Sequence, residues 1–99
     1  MLIITGTIRI PSGQLAHVQP AMREMITASR AEDGCLAYSY ALDVLDDGLV
    51  HVHEVWTDRT ALEAHFASPH LAAWRAQFDE LGITDRSLVS FEIDATSPV

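Results

Sequence analysis

Hydrophobic and polar residues alternate along four segments of the chain, a pattern typical of β-strands with one buried face. The first segment is LIITGTIRI, in which every second position is apolar or glycine. The predicted strands cover residues 2–10, 35–44, 49–56 and 87–94. In the second strand, alternation predicts one shared face that carries Leu36, Tyr38, Tyr40 and Leu42.

Between these strands, apolar residues recur at spacings of three and four, which predicts helices. We expect the first helix to follow Ser12 as its N-cap residue. Asp58 is the expected N-cap of a second helix, which restarts at Ser68 and Pro69 because proline is favoured at the first helical position. Gly82 is expected to end this helical region.

The predicted order is β-α-β-β-α-β, with a hairpin turn at LDDG, residues 45–48. This is an α+β fold of the ferredoxin-like kind, one antiparallel sheet with helices on one face. A chain of 99 residues fits one domain, and we expect residues 95–99 to form a loose tail.

Apolar residues also occupy the second face of the predicted sheet, at Ile3, Ala37, Ala41, Leu49 and Val55. A sheet face in contact with water is normally more polar. We therefore expect this face to be covered by a second copy of the chain, as a homodimer through the sheet face.

Composition narrows the partners that we expect. The net charge is -8 and the chain contains no lysine, so nucleic acid and anionic membranes are not expected to bind. A single cysteine, Cys35, rules out an internal disulfide framework. The first residues do not resemble a secretion signal and no stretch reaches the length of a membrane span, which predicts a cytoplasmic protein. No glycine-rich phosphate or dinucleotide loop is present, so no cofactor is expected.

The stretch EVWTDRTALEAHFASPH, residues 54–70, carries the candidate chemistry. Glu54 and Trp56 share a strand face, and a carboxylate on an apolar face either acts as a base or is held by a hydrogen-bond donor. His65 borders the apolar side of the next helix, and imidazole is well matched to proton transfer near neutral pH. We expect Glu54, Trp56 and His65 to converge on one cavity between the sheet and this helix. The competing interpretation is a junction with a core tryptophan and a buried histidine.

Other polar residues have weaker functional interpretations. Tyr38 could orient a phenol inside a pocket, or it could be a core tyrosine. His70 could lie at the pocket mouth, or it could be exposed or cap the helix. His51 and His53 are spaced as two metal ligands could be, but no third ligand is evident near them, so no metal site is predicted.

Two segments resemble the antibiotic biosynthesis monooxygenase family. They are ASRAEDGCLAYSYALD at 28–43 and HEVWTDRTALEAHFASPHL at 53–71. The motifs are Glu-x-Gly-Cys-Leu-x-Tyr, Glu-x-Trp-x-Asp, Ala-Leu-x-x-His and Ser-Pro-His. The resemblance implies a ferredoxin-like fold that dimerises sheet to sheet as an α/β barrel. It also implies a pocket wall at Trp56 and a substrate-binding position four residues earlier. Oxygenase relatives can have Asn at that position, where this chain has Val52.

The resemblance implies a cofactor-independent monooxygenase that acts with O2 on a small phenolic or hydroquinone-like compound. His65 would be the catalytic base, with Glu54 as a second base or polar anchor. Trp56, Tyr38, Val52 and His70 would contact the substrate. Two alternatives stay open at this stage, a non-catalytic dimer that binds a small molecule and an isomerase of a small carbonyl compound.

Overall fold

The computed structural model describes residues 1–99 and confirms the predicted order of elements. The second helical region is divided into three short helices. The elements are β1 (Leu2–Arg9), α1 (Leu15–Arg30), β2 (Cys35–Asp43), β3 (Asp46–Trp56), α2 (Arg59–Phe66), α3 (Pro69–Ala76), α4 (Phe78–Leu81) and β4 (Thr84–Glu92). Residues 93–99 form no helix or strand. No helix is both long and apolar enough to cross a membrane.

Local sequence explains where the shorter helices begin and end. The Asp58 side chain accepts a hydrogen bond from the Ala61 amide at 2.9 Å, which caps α2. Ser68 caps α3 through the Leu71 amide, and Pro69 occupies the first turn. Gly82 has φ of +72° and ends α4 in the left-handed conformation. These three cap assignments are confirmed.

The strands form one antiparallel sheet in the order β2-β3-β1-β4. Alternate residues of β1, β2 and β3 face the helices and enclose the apolar core with residues of α1, α2 and α3. The inner face of β3 carries Val50, Val52, Glu54 and Trp56, all buried. Glu54 and Trp56, the two residues of the candidate stretch that strand alternation placed on the inner face, are therefore both buried in the core.

Four local predictions are wrong. The last strand spans Thr84–Glu92 and not residues 87–94. Leu36 is 56% exposed because β2 has an irregularity between Cys35 and Ala37, which shifts the alternation by one residue. The hairpin turn lies at residues 44–45 and not at 45–48, so β3 begins earlier than expected. Ser12 does not cap α1, which begins after Gln14; the Ser12 hydroxyl donates to Asp47 instead.

The outer face of the sheet carries an apolar row that runs across all four strands. Phe91, Ile3, Val55 and Ala37 are neighbours in register on β4, β1, β3 and β2. Phe91 is 52% exposed, and Val89 beside this row is 55% exposed. The next rows toward the other end contain Thr5, Thr7 and the two outer histidines and are more polar. The outer face is therefore apolar at one end, where β4 contributes Phe91 and Val89.

Gly6 allows β4 to approach β1 closely. A Cβ atom at this position would overlap the carbonyl oxygen of Ser87 on β4 and come within 2.8 Å of the Leu88 Cα. The register between the two strands also shifts between Thr7 and Arg9. The edge strand is thus held against the sheet at a position that only glycine can occupy without moving the backbone.

Candidate functional site

A cavity of about 170 Å³ lies between the inner face of the sheet and α2, α3 and α4. Its floor includes one row of residues paired in register across the sheet: Tyr38, Glu54, Ile4 and Ser90. Leu62, His65 and Phe66 from α2, together with Leu71 and Trp74 from α3, form the helical side. Eleven of its 17 lining residues are hydrophobic. This is an apolar cavity with a few polar groups, the arrangement typical of small-molecule sites.

Glu54 is the buried carboxylate of the floor, with only 4% of its surface exposed. The indole Nε1–H of Trp56 donates a hydrogen bond to Glu54 Oε1 at 3.0 Å. Burial raises the pKa of Glu54, and the indole hydrogen bond opposes this effect by stabilising the carboxylate. Glu54 is therefore a carboxylate fixed in place by one donor, with a proton affinity above that of an exposed glutamate.

His65 is buried and lies between a carboxylate and the cavity. Its Nδ1 is 2.9 Å from Glu32 Oε2. An ionised carboxylate can only accept a hydrogen bond, so Nδ1 must carry the proton. In the neutral ring this leaves Nε2 unprotonated, and Nε2 faces the Tyr38 hydroxyl at 3.5 Å. Glu32 thus selects the tautomer in which the accepting nitrogen lies on the Tyr38 side.

The protonation state of His65 follows from two opposed effects. Burial lowers the pKa of His65 because the charged ring loses its hydration, whereas the negative charge of Glu32 raises it. Burial is the larger effect, so the imidazole is neutral at pH 7. A neutral, oriented imidazole that lines an apolar cavity is able to accept a proton from a bound hydroxyl.

Aromatic contacts fix the two rings on which this geometry depends. The Trp56 and His65 ring centroids are 4.7 Å apart, and Tyr38 meets the His65 ring at 5.3 Å with an interplanar angle of 62°. Burial raises the pKa of Tyr38 well above its usual range, so its hydroxyl stays protonated. Tyr38 is therefore a neutral donor at the floor of the cavity, with a long and weak contact to His65 Nε2 that a substrate hydroxyl could replace.

Glu32 also contacts a second histidine. His70 Nε2 lies 2.7 Å from Glu32 Oε1, the distance of an ion pair, but the angle is not that of a hydrogen bond and this buried nitrogen has no hydrogen-bond partner. One ligand atom from each of Glu32, His65 and His70 lies within 4.8 Å of the others, so these residues are the set that could hold a divalent cation. A cation bound to His65 Nδ1 would leave the proton on Nε2. Metal binding and the accepting role of Nε2 therefore exclude each other.

The structure brings together part of the predicted site. Glu54, His65 and Tyr38 line the cavity, and Trp56 contacts both Glu54 and His65. However, the prediction that Trp56 forms the cavity wall is wrong, because its ring is fully buried behind Glu54 and His65. Val52 is likewise buried in the core and does not line the cavity.

His70 does not lie at the mouth of this cavity. It borders a separate depression between α1 and α3 and contacts Glu32. Sequence reasoning missed Glu32 as a candidate site residue, although it is the first residue of the Glu-x-Gly-Cys-Leu-x-Tyr motif. It also missed Arg75 and Arg86, which line the cavity from α3 and β4. Nothing in local periodicity marks these two arginines.

One family model and two curated proteins match this chain. The family model described as “Antibiotic biosynthesis monooxygenase” matches residues 1–77. The Mycobacterium tuberculosis protein named “Putative monooxygenase Rv0793” is 44% identical over 57 residues, which are 58% of this chain and 55% of that protein. The Synechocystis protein named “Uncharacterized protein sll1783” is 30% identical over 69 residues, 70% of this chain and 47% of that protein. The matched region thus spans about half the length of these two curated relatives.

A solved structure agrees over the whole chain. The crystal structure from Deinococcus radiodurans, described as “a putative antibiotic biosynthesis monooxygenase”, has a TM-score of 0.91 at 26% identity and covers 100% of this chain and 98% of that chain. The match includes α4 and β4, which lie beyond the residues that the family model matches.

Proposed function

Because the chain belongs to the antibiotic biosynthesis monooxygenase family, we propose that it is a cofactor-independent monooxygenase of a small phenolic or hydroquinone-like compound. The observation that carries this proposal is His65, a neutral imidazole in the cavity with its proton fixed on Nδ1 by Glu32. Such a ring is a general base for a substrate hydroxyl. His65 is the proposed catalytic base and Glu32 is its positioning residue.

The first step is removal of the substrate hydroxyl proton by His65 Nε2. The substrate hydroxyl would bind next to His65 Nε2, on the side where the Tyr38 hydroxyl lies 3.5 Å from this nitrogen. The imidazolium that forms is stabilised by Glu32, whose carboxylate is 2.9 Å away. Tyr38 and Glu54 can anchor a second oxygen of the substrate, Tyr38 as a donor and Glu54 as an acceptor when ionised. The product of this step is an electron-rich phenolate in an apolar cavity.

The substrate itself then supplies the electrons that reduce O2. The phenolate transfers one electron to O2, and the resulting superoxide combines with the ring radical at a carbon that carries hydrogen. The peroxide takes back the proton held by His65. Loss of that carbon's hydrogen with cleavage of the O–O bond leaves a carbonyl on the ring and releases water. One oxygen atom of O2 enters the product and the other leaves as water, so the balance requires no external reductant.

Oxygen uptake tests this proposal. We expect the protein to accelerate O2 consumption by methylhydroquinone, a compound with one ring, above its uncatalysed autoxidation, with one atom of ¹⁸O2 incorporated into the product. His65→Ala should lower the enzymatic rate by roughly 10²-fold or more, in the range that general-base catalysis contributes. The matched control is His17→Ala, which removes an exposed histidine of α1 that does not line the cavity.

Two results would contradict the proposal. If His65→Ala consumes oxygen at the wild-type rate, His65 is not the base. If the wild-type protein binds methylhydroquinone without accelerating its oxidation, the chain is a binding module rather than an oxygenase.

We also propose that the protein forms a homodimer through the outer face of the sheet. The support is the apolar row of Phe91, Ile3, Val55 and Ala37, which no helix of the chain covers. A second copy presents the same row, so a symmetric contact pairs apolar surface with apolar surface. Light scattering at micromolar concentration is expected to give about twice the chain mass of 10.9 kDa. A monomer at that concentration contradicts this part of the proposal.

A further inference from the structure

We propose that the cavity is selective for an anionic aromatic compound, a hydroxylated ring with a carboxylate, and that Arg75 and Arg86 bind the carboxylate at the cavity mouth. The inference deepens the proposed function, since it concerns the same cavity, but it depends only on binding and not on turnover.

The first argument is where the positive charge lies. The chain has six arginines and no lysine against 14 acidic residues, so positive side chains are scarce. Three of the six, Arg59, Arg75 and Arg86, line this one cavity. They come from α2, α3 and β4, three separate elements that the fold brings to the same opening. An acidic protein thus has half of its cationic side chains around one apolar cavity.

The second argument is which of these arginines are free to bind a ligand. Arg59 is paired with Glu92 at 2.8 Å. Arg75 and Arg86 form no hydrogen bond or ion pair with any side chain of the protein. Both side chains are exposed, so they lie at the mouth rather than in the interior. Guanidinium groups bind carboxylates through two parallel hydrogen bonds, which makes this anion the best-matched partner.

The third argument concerns the orientation of the ligand. The inner end of the cavity contains Glu54, and Glu32 lies directly behind His65. Both would repel a second carboxylate there, whereas a hydroxyl can donate to Glu54 or His65. Burial raises the pKa of Glu54 at the floor of the cavity. The positive charges of Arg86 and Arg75 partly oppose this rise. The carboxylate therefore belongs at the mouth and the hydroxylated ring at the floor.

The size of the cavity fits one ring. Its volume of about 170 Å³ is close to the ~150 Å³ of an engineered protein cavity that holds benzene. The hydrophobic lining supplies the surface for the ring, with Tyr40, Trp74 and Phe78 among the aromatic contributors. A benzoate with ring hydroxyls has one apolar ring, hydroxyls for the floor and one anion for the mouth.

A matched pair of probes tests this selectivity. Dissociation constants of 2,5-dihydroxybenzoate and its neutral analogue 2,5-dihydroxybenzamide are measured by calorimetry without oxygen, so that turnover cannot occur. We expect the acid to bind at least tenfold more tightly than the amide at low ionic strength. This preference should shrink as salt is added, because the guanidinium groups are exposed and their charges are screened.

Variants assign the preference to residues. Arg75→Gln and Arg86→Gln should each weaken binding of the acid severalfold and leave binding of the amide unchanged. Arg23→Gln is the matched control, since Arg23 is an exposed arginine of α1 that does not line this cavity. It should leave the tenfold preference intact.

Equal affinity for acid and amide overturns the inference, as does a preference that survives both Arg75→Gln and Arg86→Gln. Binding of neither probe overturns it too. Tight, arginine-dependent binding of the acid without oxygen uptake supports the inference and contradicts the proposed oxygenase function, so the two failures are distinguishable.

Discussion

The two faces of β3 carry polar side chains in opposite surroundings. On the inner face, Glu54 is 4% exposed and is held by the Trp56 indole. On the outer face, His51 and His53 are exposed, and His51 pairs with Asp43 at 2.8 Å at the surface. Glu54, whose pKa is raised by burial, thus directly follows His53, which is exposed to water on the opposite face of the same strand.

This difference shows what distinguishes the candidate functional residues of this chain from its other polar residues. Residue type alone does not separate His65 from the His51–His53 pair, whose spacing is that of two metal ligands. Burial and convergence instead single out His65, on a helix, whose partners Glu32 and Tyr38 come from other elements. The candidate site lies on the inner face of the sheet, where apolar packing excludes water. There, residues distant in the sequence provide the hydrogen-bonding partners of His65.

The largest effect should come from removing the inner tryptophan. Trp56→Ala is expected to lower the free energy of unfolding by roughly 3–5 kcal/mol, because it leaves a large cavity and takes away the donor that Glu54 uses. The neighbouring outer change, Val55→Ala, removes a half-buried side chain and should cost only about 1 kcal/mol. Urea unfolding of both variants measures the difference. Equal losses would show that the two faces are packed alike.

A smaller and different effect is expected at the outer face. Phe91→Asp places a charge in the apolar row, which should raise the dimer dissociation constant at least tenfold while leaving the spectrum of the folded chain unchanged. Sedimentation at several concentrations measures this constant. Thr7→Asp, at the polar end of the same face, is the control and should weaken the dimer less. A dimer indifferent to both charges would place the interface elsewhere.

The next prediction concerns pH. His65 accepts a proton only when neutral, so activity should fall as the pH drops through the pKa of His65. Burial places that pKa below the ordinary value of 6.5, and the Glu32 charge partly restores it. Glu32→Gln removes the restoring charge, so the acid limb of the rate profile should move to lower pH, together with a lower maximal rate. A profile that moves to higher pH, or does not move, would contradict the positioning role of Glu32.

The smallest expected effect is that of a chelator. If His65 acts through an unprotonated Nε2, oxygen uptake should be unchanged after treatment with EDTA. Added Zn²⁺ should inhibit, because a cation held by Glu32, His65 and His70 fixes the proton on Nε2. Loss of activity on chelation, restored by metal, would mean that the same three residues form a metal centre.

The sequence was sufficient for those parts of the fold that depend on local chemistry. The caps at Asp58, Ser68 and Gly82 follow from the side chains and backbone freedom of single residues. The contact of Trp56 with both Glu54 and His65 follows from strand alternation and a short connection to α2. These arguments require only residues that are near one another in the chain.

Features that depend on the placement of distant elements could not be predicted in this way. Glu32 meets His65 across 33 positions of the chain. Arg75 and Arg86 come together only because the edge strand β4 lies beside the opening of the cavity. A bulge reversed the expected side of Leu36, since irregular pairing has no counterpart in the hydrophobic pattern. The prediction that Trp56 forms the cavity wall was wrong for a similar reason. Alternation predicts the face of the sheet on which a side chain lies, but not how deeply it is buried, and the Trp56 ring is buried beneath the cavity.

The position of β4 at the edge of the sheet has a consequence for how this protein could diversify. The proposed base, Glu54 and Glu32 all lie within the residues that the family model matches, whereas Arg86 lies beyond them. An edge strand pairs with one neighbour only, here β1. Changes at its inward positions can therefore alter the cavity mouth while the pairing of the other three strands is retained. Evolution or design could therefore change the ligand preference at this strand and leave the proposed base His65 and its partner Glu32 unchanged.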